Sequence, residues 1–459
     1  MLRKIFAERT KGKKECFYKN LIRLRPLNEV EATLPKLGEG LGKHLSFKKP
    51  DIERRFIMKM ITGGVCAAQG FSAGATRCGI KASSKKDDTA IILSSVPCTA
   101  AATYTTNRVK AAPLHVTMKH LANCKAQAII ANSGNANACA PEGEENAVRE
   151  AQAAAKLLGL DAYDVVVAST GVIGQRINIE CIEENVSKIV LSEDGSDAAA
   201  NAIMTTDTVM KTAAFEFEVG GKTCRIGGIC KGSGMIHPNM GTMLAFLTTD
   251  CAIDGALLQE TLLASVKRSF NRVSVDGDTS TNDMCVVLAN GLAGNAAITG
   301  KNADWEAFRE ALDGVTMALA RKIAADGEGA TKLITCKVQG AKDEDTAETL
   351  AKSVCSSSLL KAAMFGADAN WGRVLCAMGY SGAEFDPETV DVSFASKAGE
   401  IAVCAMGRAL GFDEGVAKTV LTEPEVEILI DCHGGGGACE AWGCDLTYDY
   451  VKINGDYRT

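Results

Sequence analysis

The sequence predicts an α+β protein of layered architecture, and three features of its pattern carry that prediction. Short apolar runs that are typical of buried strands recur along the chain, amphipathic helical segments lie between them, and Gly-rich turns join strands into hairpins. Helices and hairpin strands that alternate in this way indicate sheets packed against helices. The chain has 459 residues, enough for two or three domains, and 46% of them are hydrophobic.

The elements up to residue 241 follow from local periodicity. Residues 89–94, 126–131 and 165–168 are apolar runs and predict buried strands. Residues 144–158 are alanine-rich and amphipathic, which predicts a helix. Apolar and polar residues alternate before the Gly220-Gly221 turn, which predicts a hairpin over 213–229.

The second half continues the same mixture. Its predicted elements are a strand at 243–247, a helix at 255–268, a polar hydroxyl-rich loop at 272–283, a strand at 284–289, a long helix at 304–324, a helix before Phe365 and strands over much of 390–450. The tail at 448–453 also has a strand-like pattern, and strongly polar residues follow it to the last position.

Composition excludes several classes of protein. The net charge of −6 gives no general attraction to nucleic acid or to an anionic membrane, and no apolar run is long enough to span a bilayer. The 18 cysteines occur singly, which favours a reducing cytoplasm. Cys432-His433 with Cys439 and Cys444 fits no common zinc spacing, so we expect no metal. Five histidines in all argue against a serine–histidine or cysteine–histidine hydrolase.

Residues 1–57 differ from the rest of the chain. They carry fifteen Lys or Arg against seven Asp or Glu, with poor apolar periodicity. We interpret them as a basic extension that is disordered or an over-long start, with a targeting segment as the alternative, and Met58 or Met60 as a natural beginning.

The most informative segment is 231–250, where a Gly-rich turn leads into an apolar strand. At the junction the small residue Gly241 precedes Thr242. A threonine hydroxyl is a weak nucleophile unless a base lies beside it, and its own α-amine supplies that base once the preceding peptide bond is broken. We therefore predict self-cleavage between Gly241 and Thr242. The alternative is an ordinary loop before a buried strand, and His237 in this loop is expected to be incidental.

Other residues are candidates for the chemistry that a nucleophile needs. Thr170-Gly171 follows a predicted strand, where free backbone N–H groups could stabilise an oxyanion, although a plain turn is the alternative. Lys231 could bind a carboxylate or be solvated surface. The hydroxyls and carboxylate of 204–208 could bind substrate or turn the chain. Glu328 between two glycines could bind an amine or lie in a helix-capping loop.

Together these residues resemble a known family, the ornithine acetyltransferases, also called glutamate N-acetyltransferases, of the cyclic arginine pathway. The resemblance covers about 61–459. The motifs that match in order are Gly70-Phe-Ser-Ala-Gly74, 132–139, Ser169-Thr-Gly-Val-Ile-Gly174, Ile203-Met-Thr-Thr-Asp-Thr208, 231–244, 269–283, Asn370-Trp-Gly-Arg373 and Tyr457-Arg-Thr459.

The resemblance implies the family's layered fold of N-terminal-nucleophile type, with sheets between helices, cut into two chains. These are an alpha chain, 58–241, and a beta chain, 242–459, and two of each form a heterotetramer. It also implies roles for single residues. By position Thr242 matches the nucleophile and Thr170 and Gly171 match the oxyanion hole, while the substrate-contacting positions are Thr205, Lys231, Thr242, Glu328, Asn454 and Thr459.

The implied reaction is transfer of an acetyl group from N2-acetyl-L-ornithine to L-glutamate through an acetyl-threonine intermediate, without a metal or tightly held cofactor. A bifunctional member also takes acetyl-CoA as donor, and the sequence leaves that choice open. Two alternatives stay open as well: a self-cleaving amidase or aminopeptidase of related fold, and an uncut binding protein.

The chain departs from the family at Gly241, where alanine is usual, and at Ala369, where proline is usual.

Overall fold

The computed structural model describes residues 58–81, 84–237 and 243–455. Sixteen strands lie in these residues: β1 Lys59–Ile61, β2 Phe71–Thr76, β3 Thr89–Tyr104, β4 Lys125–Asn132, β5 Val165–Ser169, β6 Lys211–Val219, β7 Lys222–Lys231, β8 Leu244–Thr249, β9 Val273–Ser274, β10 Met284–Ala289, β11 Leu333–Ala341, β12 Asp391–Ser396, β13 Gly399–Ala405, β14 Arg408–Ala409, β15 Glu425–Asp431 and β16 Gly437–Cys444.

The same residues contain eleven α-helices, several of which begin at an Asp, Asn or Ser cap. They are α1 Ala112–His120, α2 Gly143–Leu158, α3 Ile179–Asn185, α4 Ser196–Ala202, α5 Gly255–Arg268, α6 Ala303–Ala325, α7 Glu344–Ser356, α8 Ser358–Gly366, α9 Trp371–Gly379, α10 Glu414–Leu421 and α11 Tyr448–Gly455. The Asp254 carboxylate, for example, accepts from the N–H groups of Ala256 and Leu257 and thereby fixes the start of α5.

A nine-stranded mixed sheet forms the larger layer, in the order β1-β6-β7-β8-β10-β3-β4-β5, with β2 beside the first half of β3. Successive residues of β8 point to opposite faces, so Leu244 and Phe246 join one core cluster and Ala245 and Leu247 the other. Helices α5 and α6 complete the cluster on one face and α4 completes the other. Because both faces are covered, the strand is apolar throughout.

The order of strands in this sheet interleaves the two halves of the chain. Strand β8 pairs antiparallel with β7 on one side and parallel with β10 on the other, and β10 then pairs antiparallel with β3. Two strands that follow residue 242 therefore lie between strands that precede it.

A second, seven-stranded sheet follows the order β14-β13-β12-β15-β11-β16-β9. Helices α7 to α10 pack on it around a separate apolar cluster that includes Phe394 and Ile428. Helix α6 touches both sheets, because it packs on β6 and β7 and also contacts β16. Two mixed sheets covered by helices confirm the predicted α+β class and its layered arrangement.

Most predicted elements are confirmed at the predicted positions, including the buried strands, the 213–229 hairpin and the helix over 255–268. Two predictions differ from the structure: the strand-like tail at 448–453 is part of helix α11, and the predicted loop at 272–283 contains the two-residue strand β9. None of the residues of α11 is buried, so the helix has no apolar stripe from which a helical period could be read.

Candidate active site

A cavity of about 610 Å³ opens where β5, β7 and β8 meet the loops that follow or precede them. Six of the predicted site residues line it, and they come from distant parts of the chain: Thr170, Gly171, Thr205, Lys231, Glu328 and Asn454. Gly241, Thr242 and Thr459 lie outside the described residues. Met243 and Leu244, which directly follow Thr242 in the sequence, also line the cavity.

One rim of the cavity is neutral and is formed by Thr170 and Gly171, directly after β5. The N–H of Thr170 donates to the Asn132 carbonyl at 3.0 Å. The sequence had predicted a free N–H at this position, and that prediction is wrong. Within the described residues the Thr170 hydroxyl and the Gly171 N–H make no hydrogen bond. Gly171 has a φ of +132°, and a Cβ there would lie 2.4 Å from the carbonyl carbon of Gly134, so the position requires glycine.

Asn282 holds this neutral rim in place and was missed by sequence reasoning. Its side-chain amide donates to the carbonyls of Ser169 at 2.8 Å and Ala136 at 2.6 Å. Its amide oxygen accepts from the Thr281 hydroxyl at 2.6 Å. The only signal in the sequence was its place in the polar loop at 272–283, which does not reveal its partners.

A second part of the cavity wall, the charged rim, carries Lys231 and Glu328. Lys231 ends β7, and its ammonium lies 3.7 Å from the Asp207 carboxylate, beyond hydrogen-bonding distance. Glu328 is buried, and its carboxylate accepts from the side-chain amide of Asn454 at 2.7 Å. Gly234 packs against that carboxylate so closely that a Cβ would lie 2.3–2.4 Å from its atoms. The cavity thus offers a cation and an anion.

A buried ion network of Asp207, Lys211 and Asp326 lies directly behind the charged rim. The Lys211 ammonium contacts Asp207 Oδ1 at 2.7 Å and Asp326 Oδ2 at 2.6 Å, and the Lys211 side chain is 0% exposed. Asp207 Oδ1 also accepts from the Gly232 N–H at 2.6 Å, and its Oδ2 accepts from the Thr205 N–H at 3.1 Å. Sequence reasoning noted the carboxylate in 204–208 but missed Lys211 and Asp326.

The charges of the network stabilise one another. Burial opposes ionisation of Asp207, yet the ammonium groups of Lys211 and Lys231 outweigh it and hold the pKa of Asp207 below its ordinary value. Burial likewise acts against the Lys211 charge, but Asp207 and Asp326 outweigh it and raise the pKa of Lys211. Both groups are therefore charged at neutral pH.

His237 lies outside the cavity lining, as far as the described residues show, and its ring instead contacts the Ser274 hydroxyl at 3.0 Å. Burial lowers the pKa of His237. In 58–81, 84–237 and 243–455 no three His, Cys, Asp or Glu side chains are grouped to hold a metal. None of the helices in those ranges has the length and apolar composition of a membrane span.

Neutral donors, a cation and a carboxylate line one cavity, which is the kind of site found in an enzyme that acts on a small, charged organic molecule. The sequence profile of the ArgJ family matches residues 72–459, and the chain belongs to that family.

Individual relatives agree with this assignment. The chain is 51% identical to the arginine biosynthesis bifunctional protein ArgJ of Symbiobacterium thermophilum over 406 residues, which are 88% of this chain and 100% of that protein. It is 49% identical to ArgJ 1 of Clostridium acetobutylicum over 392 residues, 85% of this chain and 96% of that protein. The match with a crystal structure of ArgJ from Bacillus halodurans, which is 49% identical, covers 47% of this chain and 100% of the crystallised chain. Its TM-score is 0.45.

Proposed function

We propose that this chain is a self-cleaving acetyltransferase of arginine biosynthesis that moves the acetyl group of N2-acetyl-L-ornithine to L-glutamate. One observation carries the proposal. The neutral donors of Thr170 and Gly171 and the charges of Lys231 and Glu328 share a cavity whose wall includes Met243, the residue after the candidate nucleophile. Membership of the ArgJ family supports the same reaction class.

The chemistry begins with Thr242 as the first residue of its chain. Its α-amine, with an ordinary pKa of about 7.7–8.0, accepts the hydroxyl proton as the oxygen attacks the acetyl carbonyl. The developing oxyanion is stabilised by the Thr170 hydroxyl and the Gly171 N–H, the two donors that the described residues leave without partners. The C–N bond breaks, ornithine leaves with the proton, and acetyl-threonine remains.

The second half of the reaction reverses these steps with another amine. The α-amine of glutamate attacks the acetyl-threonine ester, the oxyanion forms at the same donors, and the threonine hydroxyl is restored as N-acetylglutamate leaves. The reaction is therefore a ping-pong exchange in which donor and acceptor use one site in turn.

Both amino acids carry an α-carboxylate, and Lys231 is the cation placed to bind it. Glu328, held by Asn454, offers a carboxylate to the side-chain ammonium of ornithine. Thr205 also lines the cavity, and Thr459 is assigned to the site by family position alone.

Cleavage at Gly241–Thr242 gives an alpha chain, 58–241, and a beta chain, 242–459, which we assign to a heterotetramer of two copies each in the cytoplasm. Glycine is still small enough before the scissile bond, although its backbone freedom slows formation of the strained geometry. No metal or tightly held cofactor takes part. The relatives are called bifunctional, and for this chain acetyl-CoA is the second donor that we propose.

The test combines intact mass, N-terminal sequencing and product analysis. We expect two chains, one of them beginning at Thr242, and N-acetylglutamate as product. Thr242→Ala is expected to give one uncut chain without transfer, whereas Thr242→Ser keeps a hydroxyl and retains cleavage. Release of acetate in place of N-acetylglutamate would identify the amidase alternative, and a continuous but active chain would refute the proposal.

A further inference from the structure

The buried ion network lies beside the Lys231 ammonium. Among the described residues, the Asp207 carboxylate forms an ion pair with the Lys231 ammonium at 3.7 Å. Its oxygens are already engaged, because Lys211 and the Gly232 N–H bind Oδ1 and the Thr205 N–H binds Oδ2. Among the described residues the Lys231 ammonium makes no hydrogen bond, and its side chain reaches the cavity at 9% exposure.

We propose that Lys211 is a positioning residue that sets specificity for α-amino acids by neutralising Asp207 and so leaving Lys231 available to the substrate carboxylate. Without Lys211, Asp207 lacks a full counter-charge in a site that excludes water, and Lys231 is the nearest cation that can supply it. Lys231 then pairs with Asp207, and the carboxylate site is lost. This inference rests on the proposed function.

The network also joins the two charged groups of the rim. Asp326, which binds Lys211, accepts from the Ser233 hydroxyl through its own carbonyl at 2.6 Å. The Ser233 carbonyl in turn accepts from the Glu328 N–H at 2.9 Å. These two hydrogen bonds hold the loop that follows Lys231 against the loop that carries Glu328. Lys211 adjoins this connection through the Asp326 carboxylate.

The experiment compares two acetyl donors with Lys211→Met. N2-acetylornithine has the α-carboxylate, and N-acetylputrescine is the same molecule without it. We expect the ratio of kcat/KM for the first donor over the second to fall about tenfold or more, because a charge-assisted contact is lost for one donor alone. A general loss of structure lowers both values together. Lys231→Met should give the same fall.

Two further variants separate positioning from stability. Lys361→Met removes another buried lysine, whose ammonium binds the Cys444 carbonyl outside the cavity lining, and should leave the ratio unchanged. The double variant Lys211→Met with Asp207→Asn removes the competing carboxylate and should restore the ratio, since Lys231 is free again. If Lys211→Met does not fold, Asp207→Asn alone must keep the ratio at or above the wild-type value.

The outcomes are distinct. An unchanged ratio in Lys211→Met, no recovery in the double variant, or a fall in Asp207→Asn overturns the inference. If the wild-type enzyme makes no N-acetylglutamate, the proposed function fails instead, and a crystal structure of Lys211→Met decides the inference by itself. Its Lys231 ammonium must then lie within hydrogen-bonding distance of Asp207, and a separation that stays near 3.7 Å overturns it.

Discussion

Two buried acidic regions of this molecule are built in opposite ways. Behind the cavity, Asp207 and Asp326 share the Lys211 ammonium and accept from backbone N–H groups. In helix α2, Glu150 is 0% exposed, and neither of its oxygens has a hydrogen-bond partner among the described residues. Asn146, one turn earlier, is buried in the same way.

The difference shows where charge is retained in the interior. Burial raises the pKa of Glu150 well above its ordinary value, so the group avoids the penalty of a buried charge by staying protonated. The carboxylates behind the cavity avoid it by pairing. Pairing fixes geometry as well as charge, and it occurs beside the cavity that Lys231 and Glu328 line.

Breaking the paired region should have the largest effect. Asp326→Asn removes one of two counter-charges from a fully buried lysine, and we expect the free energy of unfolding to fall by about 3–5 kcal/mol in urea denaturation at pH 7. Adding Lys211→Met to that variant should cost less than the sum of the single changes. A loss below about 1 kcal/mol in Asp326→Asn would show that the pairing contributes little.

Changing the unpaired region should act in the other direction. Glu150→Met replaces an unsatisfied buried acid by an apolar side chain, and we expect the free energy of unfolding at pH 7 to rise by about 1–3 kcal/mol. Folding raises the pKa of Glu150, so its contribution to the free energy of unfolding is fully present below pH 4.5. That contribution is lost as the pH rises toward the folded pKa, by up to about 1.4 kcal/mol per pH unit.

Denaturation at pH 5, 6 and 7 measures that slope. Glu150→Gln serves as the control, since it keeps a buried polar group but should remove the pH dependence. If the wild-type protein and Glu150→Gln show the same slope, Glu150 is not the group that titrates.

The smallest effect is expected at an exposed residue of the same helix. Glu144 pairs with Lys119 at 2.8 Å, and this hydrogen bond lowers the pKa of Glu144. The contribution of Glu144 to the free energy of unfolding is therefore present above its ordinary pKa and is lost as the pH falls. This pH dependence is opposite in sign to that of Glu150. Because both side chains are more than half exposed, Glu144→Gln should change stability by at most about 0.5 kcal/mol. An effect as large as that of Glu150→Met would contradict the comparison.

Most of the fold could be predicted from the sequence because many strands are buried on both faces and are therefore apolar along their length. Residues 284–289 are apolar throughout, and β10 occupies that range. Local pattern made Thr170, Lys231 and Glu328 candidates, since each stands beside a glycine at the end of an element, and the family resemblance gave them roles. The structure brings all three to one cavity. The tail failed because α11 has no buried face.

What sequence reasoning missed depends on contacts over long separations. Lys211 and Asp326 are 115 residues apart, and Asn282 reaches the carbonyl of Ser169 across 113. No local period connects such residues. The Thr170 N–H was wrongly predicted to be free. Its acceptor, the Asn132 carbonyl, lies on a neighbouring strand and could not be identified from local sequence.

The interleaved strands of the larger sheet have a consequence for a severed chain. A break before Thr242 leaves β8 and β10 on one fragment, with β7 and β3 of the other fragment hydrogen-bonded along their two outer edges. Separation requires both seams to open and the apolar faces of Leu247 and Phe246 to meet water. With the cleavage proposed above, the two fragments should therefore stay together on dilution without a covalent link between them.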